Sequence, residues 1–206
     1  MAIKLPIILH RSVRLSKTGG QIIINSNKLR TGMIHIGNEN YGFQHKYNLT
    51  IWEQQGGTVV FEDGIELGKG TCISIGKNAF LKLEHNVRFG GDVRLICMKS
   101  VIIRSNTMLA WDVHIMDTDF HATFNTITNA INAAEKPIII GKNNWLCLGS
   151  LILKGSITPD YCIVSAKTVI NRDYSAVGEN IILSNDTVAK VVAKAIQCDF
   201  PYKCNM

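Results

Sequence analysis

In the segment MDTDFHATFNT, residues 116–126, one imidazole stands close to two carboxylates: His121 follows Asp117 and Asp119. Imidazole changes charge near neutral pH, so His121 can take the proton from a hydroxyl as its oxygen attacks a carbonyl carbon. A neighbouring carboxylate can hold the second ring nitrogen and fix the tautomer, as an acid does for histidine in hydrolases. One of the two can instead cap a turn of the segment, and a histidine taken alone reads more readily as a surface side chain. No metal is expected there: His114 is the only imidazole nearby, and His10, His35, His45 and His85 are scattered, whereas a zinc site needs several placed ligands. The six cysteines, Cys72, Cys97, Cys147, Cys162, Cys198 and Cys204, contain no C-x-x-C pair. They read as buried or idle thiols rather than as metal ligands or a disulfide framework.

The elements that must position His121 show in the spacing of apolar residues. Every sixth residue from Ile140 is Ile140, Leu146, Ile152, Thr158, Val164 and Ile170, and four residues after each of the first five come Asn144, Ser150, Ser156, Cys162 and Thr168. An α-helix repeats at three and four and a simple strand at two. A period of six fits short strands joined by turns, three of which close a triangular coil of about 18 residues. That geometry stacks Ile140 on Thr158, Leu146 on Val164 and Ile152 on Ile170, with the small residues beside tight corners. Upstream, Ile75, Leu81, Val87 and Val93 keep one register and Ile103, Leu109 and Ile115 another. The step of ten from Val93 to Ile103 predicts a shortened turn.

These repeats run from about residue 59 to 175 and stop between Ile115 and Ile140. Residues 117–137 must therefore leave the stack as a loop, and long loops in compact domains are usually functional. The expected division is a basic irregular region with short strands over 1–58, the repeat domain over 59–175, and a tail over 176–206. In that tail Val188, Val191, Val192 and Ile196 have helical spacing, which predicts a short terminal helix.

The chain has 206 residues, 46% of them apolar, enough for one sizeable core. It has no apolar run near the roughly 18 residues of a membrane span and no convincing secretory signal, so a cytoplasmic protein is expected. Residues 1–46 hold seven basic residues against the single acid Glu39, and the remaining 15 basic and 15 acidic residues cancel, so the whole net charge of +6 lies in the leading segment. It can attract an anionic partner. The dispersed cations lack the aromatic motif of a nucleic-acid surface.

The hexapeptide repeats, the Asp-Thr-Asp-Phe-His segment at 117–121 and the Ile-Gly-Lys-Asn-Asn-Trp segment at 140–145 together resemble the hexapeptide-repeat acyltransferases. The similar branch is the O-acetyltransferases of bacterial capsule and lipopolysaccharide sugars, including sialic acid. The resemblance covers residues 59–195 and implies an all-β fold, a left-handed parallel β-helix. It also implies a homotrimer with acetyl-CoA between neighbouring subunits, His121 as general base and Trp145 lining the acetyl or acceptor pocket. Trp145 can equally pack against the loop; Trp52 and Trp111 are read as packing residues. By the same resemblance Leu148 and Ala166 contact the cofactor arm, and Lys167, Arg172 and Lys190 are cations for its phosphates. The chain departs from the family pattern at Cys147, Pro159 and Ser165, where glycine is common and allows close backbone approach. N-acetylation of an amino sugar and a non-catalytic glycan-binding β-helix are the competing readings.

Overall fold

A computed structural model of the chain describes residues 4–39, 47–185 and 190–194. Its strands wind into a three-sided parallel stack. Face one holds nine strands, Ile7–Leu9, Ile34–Asn38, Ile65–Gly68, Arg88–Phe89, Met108–Leu109, Trp145–Leu146, Cys162–Val164, Ile181–Ser184 and Lys190–Lys194. Face two holds seven, Val13–Thr18, Thr50–Gln54, Cys72–Ile75, Arg94–Cys97, His114–Met116, Leu151–Leu153 and Val169–Ile170. Face three holds five, Gln21–Ile24, Thr58–Phe61, Phe80–Leu83, Ser100–Ile103 and Ile138–Ile140, and is continued by single bridges through Ile157 and Asp173. The chain visits the faces in the order one, two, three in each coil.

The axis-facing residues form continuous ladders. Leu146 pairs with Val164 and Ile152 with Ile170 in parallel register, and the bridge between Ile139 and Ile157 places Ile140 on Thr158, the three contacts the hexad spacing predicts. Phe61, Leu83, Ile103 and Ile140 stack in the same way on face three, all fully buried. Burying each such side chain contributes about 1.5–3 kcal/mol. Asn144, Ser150, Ser156, Cys162 and Thr168 are all buried too. The first of them joins a closed hydrogen-bond set in which Thr158 Oγ1 donates to Asn144 Oδ1 at 2.7 Å and Asn144 Nδ2 donates to the carbonyls of Lys142 and Pro159. Pairing of this kind offsets the cost of burying amides and hydroxyls.

Two features of the sequence reading need correction. No turn is shortened: from Phe61 to Ile170 the axis-facing steps from face three to one to two stay at six residues, as in Leu83, Phe89, Leu95 or Ile140, Leu146, Ile152. In these coils the variation falls at the corner from face two to face three, where the steps Ile73 to Leu83, Leu95 to Ile103, Ile115 to Ile140 and Ile152 to Thr158 are 10, 8, 25 and 6 residues. The second correction concerns the tail. Lys190–Lys194 is a strand antiparallel to Ile181–Ser184 and not a helix. The edge of Ile181–Ser184 offers unpaired N–H and C=O groups, and the β-branched pair Val191–Val192 prefers the extended backbone that covers them. The other residues of the expected helix lie outside the described ones.

The three faces also begin upstream of residue 59. Strands of residues 7–54 stack in them, each parallel to the corresponding strand of the next coil. The long connections between those strands hide the period of six in this part of the sequence.

None of the four described cysteines is in a disulfide; Cys97 and Cys162 are buried. Burial pushes the Cys162 thiol up to about 12 and raises that of Cys97 as well, where the nearby Asp117 carboxylate adds to the effect. Since the thiolate is the reactive form, neither residue is expected to take a thiol reagent at pH 8 until the chain unfolds. Peptide mapping after labelling checks this; modification of either in the native chain would contradict the burial.

Candidate active site

Residues 117–137 leave the stack at the corner between faces two and three and return to it as an extruded hairpin, Thr123–Phe124 antiparallel to Ile131–Asn132. Its base is anchored twice. The buried Asp117 carboxylate accepts the backbone N–H groups of Met98, Lys99 and Ser100 at 2.7–2.8 Å, closing the same corner of the preceding coil. Lys154, with its side chain only 9% exposed, pairs through Nζ with Asp119 at 2.6 Å and donates to the carbonyl of Ala133 at 2.5 Å, tying the outgoing strand to the incoming one. Both carboxylates are therefore engaged with the scaffold, and neither orients the His121 ring. Asp117 takes the turn-capping alternative, in the coil below its own.

His121 projects from this mount, exposed, and makes no hydrogen bond or ion pair with any described residue. Phe120, immediately before it, holds a left-handed φ of 60°, stabilised by the bond from its N–H to Thr118 Oγ1 at 2.8 Å. For a bulky residue this conformation costs on the order of 1–3 kcal/mol, and such strain concentrates at functional positions. The rest of the hairpin offers Phe124, Ile127 and Ile131 at 69%, 90% and 76% exposure.

The second group of predicted residues gathers elsewhere, along the corner between faces one and two. Leu148 and Ala166 lie exposed in successive turns of it, and the Lys167 N–H donates to the Leu148 carbonyl at 2.9 Å. Trp145 lies on the strand that runs into this corner, between Met108 and Ile163. Its indole N–H is buried and has no acceptor among the described residues. Lys190 belongs to the last strand of face one, opposite Ser184. Arg172 is not with this group: it lies at the corner between faces two and three, its guanidinium 5.9 Å from the ring centre of Tyr174.

Sequence reasoning missed two groups. Asp112 sits in the same column as Lys167, 3.6 Å from its Nζ, and holds Nε2 of His114 at 3.0 Å. The signal was present as Asp-Val-His, in which the two polar residues share the outward side of an alternating segment. Lys154 was missed because nothing in its neighbourhood marks it as buried. On the catalytic reading of His121, replacing Lys154 with methionine is expected to lower kcat about tenfold to a hundredfold by loosening the hairpin, with little change in thermal stability and partial rescue by arginine. A fall in melting temperature that accounts for all the lost activity would contradict that positioning role.

No protein-family model matches this chain, and no curated protein matches it in sequence. Among solved structures the fold is found again, which makes the stack a left-handed parallel β-helix, as the family resemblance implies. One similar structure is the polySia-specific acetyltransferase NeuO, 17% identical over 92% of this chain and 89% of that one, with a TM-score of 0.54. Another is a mutant form of AntD, an N-acyltransferase from Bacillus cereus in complex with dTDP and coenzyme A, 12% identical over 94% and 86%, with a TM-score of 0.51.

Proposed function

We propose that this chain is a cytoplasmic, acetyl-CoA-dependent O-acetyltransferase that acts on a hydroxyl of a bacterial surface-polysaccharide sugar and works as a homotrimer. The observation that carries the reading is the buried, unanswered indole N–H of Trp145 beside the exposed turns of Leu148, Ala166 and Lys167. A buried donor without a partner costs about 1–3 kcal/mol, and a carbonyl or hydroxyl of a bound substrate would satisfy it. The corner fits an acyl-CoA: open backbone turns for the pantetheine arm and Lys167, with Lys190 at the end of face one, for phosphate. When bound, acetyl-CoA supplies an activated thioester carbonyl.

In a three-sided prism the corner between faces two and three lies opposite face one. His121 and Trp145 therefore stand on opposite sides of one subunit, and a complete site needs the hairpin of a neighbour. The exposed apolar residues Phe124, Ile127 and Ile131 supply surface for that contact. At such a site His121 takes the proton of the sugar hydroxyl as its oxygen bonds to the acetyl carbon; the carbon–sulfur bond then breaks and the proton passes to the departing thiolate. Both likenesses support this reading, through NeuO, which is specific for polySia, and through AntD, whose complex contains coenzyme A. Sialic acid is accordingly the first acceptor to try.

The test is incubation with acetyl-CoA and a panel of surface-glycan sugars, with release of free CoA as the signal. An alkali-labile ester product is expected; a stable amide would move the reading to N-acetylation. Absence of both turnover and CoA binding by calorimetry would leave a glycan-binding scaffold.

A further inference from the structure

Among the described residues nothing caps the first coil of the β-helix. Leu9, Leu15 and Ile22 lie in register with the buried Ile36, Trp52 and Val59 of the next coil, so all three point at the helix axis. Yet they are 45%, 49% and 44% exposed, because no described strand lies above them at this end of the stack. Together with Trp52 and Phe61 they line a mainly apolar cavity of about 190 Å³. The strands Ile7–Leu9, Val13–Thr18 and Gln21–Ile24 are terminal in their sheets, so each also presents an unpaired backbone edge. An apolar cross-section of this kind on a soluble protein marks a contact surface.

Charge identifies what it contacts. Lys4, Arg11, Arg14 and Lys28 are exposed in this first coil and its turns and make no ion pair among the described residues, whereas Lys17 and Arg30 are neutralised by Glu53 and Asp63. Stacking a second copy end to end would bring these cations against their own copies, and basic side chains on a strand edge are a usual guard against such pairing. An apolar centre ringed by cations suits an anionic bilayer: the side chains enter the acyl boundary while each Lys or Arg near the surface adds about 1 kcal/mol.

We infer that the N-terminal end of the β-helix docks on an anionic lipid surface, with Leu9, Leu15 and Ile22 inserted and Arg11 and Arg14 on the headgroups. No described helix is long and apolar enough to cross a membrane, so the contact is peripheral. It does not depend on the acetyl-transfer reading.

Co-sedimentation of the full chain with vesicles of phosphatidylcholine, with and without phosphatidylglycerol, tests this. Binding is expected only to the phosphatidylglycerol vesicles and to fall as salt screens the charges. The Arg11→Glu/Arg14→Glu variant is expected to bind at least about tenfold more weakly, and so is Leu9→Ser/Leu15→Ser, whose side chains are already half exposed. The Arg88→Glu/Lys142→Glu variant, with the same change of net charge on other coils, keeps its binding. Equal loss in that control would reduce the effect to net charge and overturn the proposal. So would absence of binding at low salt, or end-to-end assemblies in light scattering that Leu9→Ser/Leu15→Ser dissolves. Folding of each variant is checked by thermal melting, and single Leu15→Ser replaces the double variant if that fails to fold.

Discussion

His121→Ala is expected to fold, assemble and bind acetyl-CoA with unchanged affinity while its transfer rate falls about a hundred- to ten-thousandfold, the range over which a positioned general base acts. The side chain makes no hydrogen bond or ion pair within its own subunit's described residues, so its removal disturbs little, and a loss of rate must come from chemistry. Trp145→Ala is expected to lose activity as well, through the opposite side of the subunit. Mixing the two variants therefore gives a sharper result than either alone. Each inactive chain carries the half that the other lacks, and co-expressed His121→Ala and Trp145→Ala subunits regain part of the activity by forming intact interfaces. A full rate in His121→Ala would refute the base assignment. Mixed assemblies that stay inactive would place the two residues in one subunit's site and contradict the opposed geometry.

Asp117→Ala is the change with the largest expected effect on stability, about 3–5 kcal/mol. Its carboxylate is fully buried and answers three backbone N–H groups of the neighbouring corner; alanine leaves those donors with no acceptor. In a chain of this size each kcal/mol shifts the melting temperature by roughly 2–4 °C, so a fall of about 10 °C is expected in a thermal melt. Asp117→Asn keeps one acceptor oxygen and should fall between. Because Asp117 does not touch His121, the surviving folded fraction of either variant is expected to keep the pH dependence of the wild-type rate. A displaced pH profile at unchanged stability would return Asp117 to the role of histidine partner.

The stack was readable in the sequence wherever corners are short. Ile140, Leu146 and Ile152 each stand six apart and their partners a coil later are found in register, since a side chain that must face the axis at every short side has no other spacing available. The same ladders were misjudged near Val93 because two inward residues per strand, such as Leu95 and Cys97, offer two registers to a reader counting sixes. The first coils escaped notice because their turns are long. The tail strand was invisible for a different cause: Val191 has the same neighbours in sequence whether it lies on a helix or against Ile181–Ser184, and only the free edge of that strand decides. At the candidate site, residue types were legible and their pairing was not. His121 and Trp145 stand out in the sequence by type and context, which says nothing of the side chains packed around them. Lys154 and Asp117 became visible as anchors only when residues 17 to 35 positions away in the chain were brought against them.

Between Phe61 and Ile170 one corner of each coil spans 6, 8, 10 or 25 residues while the other two do not vary. Lengthening a loop whose ends are already fixed side by side costs little, because closure entropy grows only with the logarithm of its length. The stack behaves as a rail with a single open slot. What is inserted there can change in length and composition without disturbing the ladders behind it, so the hairpin that carries His121 is separable in design from the corner that would receive the acyl donor. Exchange of residues 120–132, between the anchor points Asp119 and Ala133, is therefore expected to leave the ladders of the stack unchanged.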